Sequence, residues 1–592
     1  MKKTVFIIII FILLEIIMTY PLVFKVTDHV PGFFSTDESL SIPWGGWFNK
    51  FATKNHLSLM KTDFISYPFG VELYRTIGFI WFGINYLLAV LTTPILTYNL
   101  QVLINFFLAA LFTYFFVYFI SDNIFSAILS GIAFAFCPYM FVRTWQHLGD
   151  TYIWVIPFVL LGLASLKERV SKKSIFIFSL GIIFMSIGFN FIYAGLALLI
   201  FFACLFIRGL KEKSLFSDGN KKLAGAVLFS FLMFVIVMSP QIYTVAKGII
   251  ASKGSSPSVF NVYHRPFEDL FAQSVRPLSY ILPATVHPVF GGFTEQFVGT
   301  ELYGMSFTEH TLYLGWIPLI LAFIAFRRRK KSANHSDRFY IGFFILLAVF
   351  AWLFSQPPWW KIGNVKIYMP SFFIYQILPV FRAYCRFGIV VMFAVAVLAG
   401  FGLKFLLESR KTLKSKIGLS VLCCGLILFE FWNYPPFKVI DVSRVPAVYY
   451  WLKEQPRDTV IAEYPLDQDA PNEMYRLYQA THEKKMINYT VPGTYANKVA
   501  HTINKISDPS SAEALRWMGV KYVLVHRDKY LQTELIEDRE ELNKLSSNPG
   551  LKFVKDFPAE SCPQQDIRCV KEAGPIDVYE VIAQSKEPKV EK

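Results

Sequence analysis

Apolar residues in this chain run in long blocks, and short polar patches separate them. A helix needs about 20 mostly apolar residues to cross the hydrocarbon core of a bilayer. Twelve blocks qualify as candidates, near residues 5–24, 77–96, 99–120, 124–142, 151–166, 174–190, 191–208, 223–245, 311–326, 339–355, 387–407 and 416–434. No comparable block follows residue 435, so residues 1–434 read as a membrane domain and residues 435–592 as a soluble one. Within the soluble part, residues 459–465 (TVIAEYP) and 521–526 (KYVLVH) read as short buried strands, and Ser511–Met518 as an amphipathic helix before the second strand. The pattern predicts a polytopic α-helical membrane protein with a C-terminal α/β domain.

The polar patches set the orientation. Lys2-Lys3 and the basic runs at Lys167–Lys173, Arg208–Lys222, Arg327–Arg338 and Glu408–Lys416 belong on the cytoplasmic side. Block 5–24 lacks a small-x-small cleavage site, so it reads as an uncleaved first helix rather than a signal peptide. Twelve crossings would put Lys167–Lys173 outside, so one early block must not cross. The weakest is 77–96, which contains Gly78 and Gly83 and ends in Thr92-Thr93-Pro94; it is assigned as a juxtamembrane or re-entrant segment. The alternative makes 174–208 one bent helix around Gly188-Phe189-Asn190. The preferred reading has eleven crossings in the plasma membrane, with a cytoplasmic N-terminus. Loops 25–76, 246–310 and 356–386 and the C-terminal domain then face outward.

Composition agrees with a membrane protein. Of 592 residues, 54% are hydrophobic and only 17% charged, against about 25% charged in soluble proteins. The net charge of +15 would suggest nucleic-acid binding in a soluble chain, but most of it lies in the orienting loops, so no nucleic-acid partner is expected. Of seven cysteines, Cys137, Cys204, Cys385, Cys423 and Cys424 fall in or beside apolar blocks and read as packing residues. Cys562 and Cys569 lie in the polar tail, where the compartment favours a disulfide between them.

Candidate chemistry rests on a few ionisable groups near the outer face. Asp37-Glu38 follows the first helix and can act as a base or hold a divalent metal; the plainer reading is a solvated pair or a helix N-cap. In the turn 143–150, Arg143, His147 and Asp150 are costly near lipid and often functional, unless Arg143 snorkels and Asp150 caps the next helix. Glu309 precedes a helix, where the dipole alone favours an acid. Arg382 and Arg386 run against the positive-inside trend; they suit a lipid phosphate or simple headgroup anchoring. Trp44, Trp47, Tyr67 and Tyr74 suit sugar stacking or interface anchoring. Asp467-Gln-Asp469 is a weak metal-binding pattern. The chain has no P-loop, nucleophile elbow, zinc-protease or dinucleotide-binding motif.

This arrangement resembles the GT-C class of membrane glycosyltransferases. It is similar to the protein O-mannosyltransferase and aminoarabinose transferase group, and to the bacterial YfhO-like membrane proteins. Asp37 matches the class's acid on the first outer loop, with Glu38 beside it as in the mannosyltransferases. Segment 77–96 matches a juxtamembrane helix. The run from Ser121 through Cys137-Pro138 to Asp150 matches a second acid, although Cys-Pro stands where Ser-Pro is commoner. Glu309 ahead of Thr311–Gly315, Arg382 and Arg386 ahead of Phe387, and Leu515–His526 resemble YfhO-like chains.

The resemblance implies transfer of a sugar from a polyprenyl-phosphate carrier to a glycan, lipid or protein acceptor. Asp37, Glu38 and Asp150 would then be catalytic, and Arg143, His147, Glu309, Arg382 and Arg386 would bind substrate. Asp37 and Glu38 are the possible ligands of a divalent metal, and membrane lipids are further partners. The alternatives are a flippase or transporter of a lipid-linked glycan, and a non-catalytic envelope assembly protein.

Overall fold

The structure is a computed structural model that describes residues 2–32, 37–73, 78–188, 190–251, 265–377, 379, 381–432, 439–466, 469–491, 494–531, 536–558 and 574–582. The side chains of 2–3, 37–39, 244–245, 247–251, 469–473 and 536–539 lie outside the description, as do Ser35, Thr36, Tyr74, Asp467, Cys562 and Cys569. The chain divides into two compact units.

One unit comprises Met1–Lys25, Ile77–Trp81 and Asn99–Lys438. Among the described residues, seven helices are long and apolar enough to cross a membrane: Pro94–Ser121, Ile124–Gln146, Leu148–Glu168, Asn190–Lys211, Asp218–Tyr243, His335–Ser355 and Tyr384–Glu408. The chain is an integral membrane protein. The other predicted blocks also form helices, over Lys2–Met18, Phe79–Leu91, Lys172–Phe184, Trp316–Arg328 and Leu413–Glu430. Those of 13 residues reach about 20 Å, short of a hydrocarbon core of about 30 Å.

The alternative of one bent helix over 174–208 is not realised. Gly188 takes φ 56° between two separate helices, and a Cβ there would meet the carbonyl oxygen of Gly149 at 2.7 Å. Both the left-handed backbone and the close approach require glycine.

Helix Gly388–Glu408 is the core of this unit: every residue from Gly388 to Leu403 is buried. Its neighbours come close because its contact positions are small. A Cβ on Gly402 would fall on the carbonyl oxygen of Leu321, and one on Gly400 would meet the hydroxyl of Ser130. Ser130 donates instead to the carbonyl of Ala396, at 2.8 Å. Small residues let helix backbones pack closely in lipid, where the hydrophobic effect gives no drive to associate.

The other unit comprises Val26–Thr76, Phe82–Tyr98 and Val439–Lys592. The predicted strands appear as Val460–Tyr464 and Val520–His526, and the predicted helix as Pro509–Trp517. These strands pair in parallel at the centre of a five-stranded mixed sheet. Lys485–Met486 lies parallel on one side, and Ile576–Val581 with Leu551–Phe557 lies antiparallel on the other. His29–Pro31 pairs antiparallel with Val439–Asp441, and helix Asp37–Lys54 buries Leu40, Trp44 and Phe48 in the core shared with residues 442–478. Trp44 therefore offers no face to a sugar: it stacks on Phe48 at 5.4 Å, and its Nε1 donates to Gln479 at 2.7 Å.

Gly402→Ala is expected to cost about 1–3 kcal/mol, because the added methyl overpacks a backbone contact. Gly418→Ala, where a Cβ meets nothing within 4 Å, is expected to be neutral or slightly stabilising. Thermal unfolding of both variants in detergent measures the difference.

Candidate functional site

The predicted residues of the turn at 143–150, the 309 segment and the 382–386 segment come from three separate stretches of chain, and four of them meet. Arg143 lies deeper than predicted. Pro138 opens a second helical segment, Pro138–Gln146, after the break at Cys137. The turn therefore starts at His147, and Arg143 is fully buried rather than snorkelling. Its Nη1 and Nη2 donate to the two carboxylate oxygens of Glu309 at 3.0 and 2.7 Å. This is the bidentate geometry that guanidinium and carboxylate favour.

Glu309 does not sit at the start of the next apolar helix, which begins at Trp316. It occupies a single helical turn, Phe307–His310, whose N-cap Ser306 accepts from the Glu309 amide. Arg386 approaches Glu309 from another side. Its Nη2 donates to Oε1 at 2.6 Å, and its Nε lies 3.1–3.2 Å from both oxygens. The thiol of Cys385 adds a third donor group, at 3.0 Å to Oε2. Burial alone would raise the Glu309 pKa, but Arg143 and Arg386 overcome it and hold the carboxyl well below the usual carboxylate range. Such a carboxylate is a fixed anion, too weak to act as a base at neutral pH.

Asp150 is held differently. It lies in the 3-10 turn Leu148–Thr151, and the following helix has no side-chain cap, so Asp150 is not the predicted N-cap. Its Oδ2 stands 2.8 Å from Arg386 Nη1 and 3.9 Å from Arg143 Nη1, and no well-directed hydrogen bond reaches that oxygen among the described residues. The two guanidiniums and two carboxylates cancel in formal charge. Arg386 is the arginine with an outlet: its side chain is 11% exposed.

The hydroxyls of Tyr139 and Tyr193 are buried without a hydrogen-bond partner among the described residues, and both feel the charge of Asp150. Buried polar groups normally have a partner, so such orphans mark a place where a ligand or water oxygen is accommodated. The turn carrying Asp150 is braced by Asn190, whose amide donates to the carbonyls of Ile187, at 2.8 Å, and Gly149, at 3.4 Å.

His147 is half-buried beside this cluster. Burial, then the positive charges of Arg386 and Arg143, lower its pKa to about 4, so it is neutral at physiological pH. Arg382 takes a different partner, Asp269, at 3.2 Å on a partly exposed surface, where an ion pair contributes little. Asp37 and Glu38 open helix Asp37–Lys54; their side chains lie outside the described residues.

Among the described residues, no group of three or more His, Cys, Asp or Glu side chains is arranged to hold a metal. The Asp150–Glu309 carboxylates do not fit a cation, because guanidiniums already occupy the positions it would take. Sequence reasoning missed Cys385, Tyr139 and Tyr193. Cys385 lies next to Arg386 in the chain, but nothing in the sequence separates it from the packing cysteines.

Comparison with known proteins gives a family and a fold. Residues 28–429 match the family described as Domain of unknown function (DUF6311). A cryo-EM structure of the mycobacterial arabinofuranosyltransferase AftD is similar at a TM-score of 0.55 and 13% identity, over 99% of this chain and 42% of that one. The chain thus spans about two fifths of the AftD chain. A crystal structure of ArnT from Cupriavidus metallidurans bound to undecaprenyl phosphate aligns at a TM-score of 0.49 and 10% identity, over 98% of this chain and 99% of that one. No curated protein matches the chain.

Two outcomes follow from the cluster. Arg143→Met is expected to cost about 3–5 kcal/mol, because it strips a buried carboxylate of its main partner. In a Glu309→Met background the same substitution should cost clearly less; equal losses in thermal unfolding would contradict the coupling. His147 gives a pH signature. The unfolded chain takes up its proton below about 6.5 and the folded chain only below about 4. Folding therefore excludes a proton in that window, and stability falls as the pH drops through it. His147→Asn should flatten the decline between pH 6.5 and about 5.5, above the range where Glu309 titrates in either state, as read from unfolding midpoints.

Proposed function

This chain belongs to the family described as Domain of unknown function (DUF6311), and from that footing we propose that it is a membrane glycosyltransferase taking its sugar from a polyprenyl-phosphate carrier. The observation that carries this reading is the buried Arg143–Glu309–Arg386–Asp150 cluster in a membrane unit of GT-C-like fold. In such a reaction the acceptor hydroxyl oxygen bonds to the anomeric carbon while the bond from that carbon to the phosphate oxygen breaks. The electron pair leaves with polyprenyl phosphate, and the acceptor proton goes to a carboxylate.

The geometry supports distinct parts for the two acids. Glu309 holds both arginines in place and is too weak a base to take a proton. Asp150 has one close ion partner, and that partner is the arginine with an outlet. A phosphate oxygen that takes Nη1 of Arg386 displaces Asp150 from it, which neutralises charge on the leaving group and frees a carboxylate to receive the acceptor proton. Tyr139 and Tyr193 supply hydroxyl donors to the phosphate or a sugar oxygen, and His147 is a neutral donor or acceptor for the sugar.

Asp37 and Glu38 are proposed as catalytic or metal-holding acids on the strength of the GT-C resemblance alone, and Arg382 as a headgroup contact at the exposed surface. We read the shorter helices Lys2–Met18, Lys172–Phe184, Trp316–Arg328 and Leu413–Glu430 as crossings too. That gives eleven in the plasma membrane, with the division at residue 434 and residues 435–592 outside the cytoplasm. A glycan, lipid or protein is the acceptor.

Transfer of radiolabelled sugar from synthetic polyprenyl-phosphate donors, in vesicles containing the purified chain, tests the proposal. Asp150→Asn is expected to lower the rate by about 10²–10⁴-fold beyond any loss of folded protein, with rates normalised to the folded fraction because Arg386 also loses its ion partner. Undiminished transfer by Asp150→Asn would remove that residue from the reaction, and undiminished transfer by Asp37→Asn would remove Asp37. Translocation of the donor lipid with no transfer would instead support a flippase.

A further inference from the structure

Between helices His335–Ser355 and Gly388–Glu408 the chain forms a β-hairpin, Trp359–Ile362 paired antiparallel with Val365–Tyr368, followed by the short helix Pro370–Ile377. A Gly-Asn turn joins the strands, with Gly363 at φ 58°, as a two-residue hairpin loop requires.

The base of the hairpin is anchored. Trp359 packs on Phe271 at 4.9 Å and Phe267 at 5.5 Å, and Trp360 packs on Trp352 at 5.7 Å. The tip is not packed. Every residue from Lys361 to Tyr368 is exposed, including Ile362 at 62% and Val365 at 64%, and Ile377 on the helix that follows reaches 85%. A two-stranded sheet is marginal in water on its own. One that exposes large aliphatic side chains on top of that is costly unless something apolar covers them.

We propose that this hairpin and helix insert into the bilayer leaflet at their end of the membrane unit, with phospholipid as the occupant. Two observations commit the surface to lipid. The first is continuity: the same element follows helix His335–Ser355 directly, and that helix exposes Leu346, Val349 and Phe350 on a candidate membrane span. The second is charge and composition. From Gln356 to Arg386 the chain has Lys361, Lys366, Arg382 and Arg386 and no acid, with Trp359, Trp360, Tyr368 and Tyr375 interspersed. Cationic and amphipathic aromatic side chains around aliphatic ones suit an anionic headgroup layer over acyl chains. Lys366 lies with its Nζ 4.3 Å from the Trp359 ring centroid, which holds a positive charge at the aromatic level. The segment leads straight into Arg386, so the leaflet holding the hairpin is also the one from which a lipid-borne phosphate reaches that arginine. This last point rests on the proposed function; the insertion itself does not.

The test uses the full-length chain with an environment-sensitive fluorophore on Val365→Cys or Ile377→Cys, the unsubstituted chain serving as the labelling blank. The protein is reconstituted at low density in phosphatidylcholine–phosphatidylglycerol vesicles. Insertion predicts a blue-shifted emission that headgroup-proximal spin-labelled lipids quench several-fold more strongly than aqueous iodide does, relative to a free fluorophore–cysteine adduct. Quenching by iodide to the level of the free adduct at both positions would overturn the proposal. So would protection from both quenchers, which would mean that protein covers the surface. Neither readout depends on sugar transfer.

Discussion

Two arginines and two carboxylates share one buried site, and the rest of the membrane unit is arranged to make that tolerable. Removing a charge from water costs several kcal/mol per ion even after relaxation, so each of the four must meet an opposite charge at hydrogen-bond distance. Arg143 brings the end of helix Ile124–Gln146, Asp150 the turn after it, Glu309 a single helical turn from a distant loop, and Arg386 the start of helix Tyr384–Glu408. The left-handed Gly188 beside Gly149 and the Ser306 cap on Glu309 make sense as devices that place these groups. A cluster of this kind is weak evidence for stability, because apolar packing would serve at least as well. Four ionisable groups buried together in a membrane unit are better explained by chemistry.

The site's internal asymmetry gives it direction. Glu309 accepts from both guanidiniums and a thiol, whereas Asp150 depends on Arg386. Under the proposed function, an incoming phosphate competes for a single contact rather than for the whole network. Two other buried ionisable sites in the helical unit have partners of their own. Lys404 pairs with Asp337 at 2.7 Å, and Glu430 caps the amides at the start of helix Trp316–Arg328, at 3.2 Å from Ile317. Those contacts account for both groups without a translocation path.

Much of this was legible in the sequence. Apolar block length located all seven helices that are long enough to cross among the described residues, because the bilayer imposes a minimum that composition alone reveals. Alternation and length found the two central strands of the sheet. The ionisable residues stood out because so few occur near apolar blocks. What sequence could not supply was partnership. Local spacing left a snorkelling Arg143 and a capping Asp150 as open as functional ones, and only the fold brings residues 143, 150, 309 and 386 together. Trp44 read as a surface aromatic because its helix is amphipathic toward a core supplied by residues more than 400 positions away. Tyr139, Tyr193 and Cys385 were invisible because aromatic and thiol side chains are ordinary in apolar segments, and only an unmet hydroxyl or a 3.0 Å contact distinguishes them.

The central claim is that a lipid phosphate replaces Asp150 on Arg386. A structure of the chain with a non-hydrolysable polyprenyl-phosphate sugar bound tests it most directly. The account predicts phosphate oxygens on the Arg386 guanidinium, Asp150 released from its 2.8 Å contact and turned toward the sugar, and Glu309 still clasped by Arg143. An intact Asp150–Arg386 pair with the phosphate bound elsewhere would contradict it.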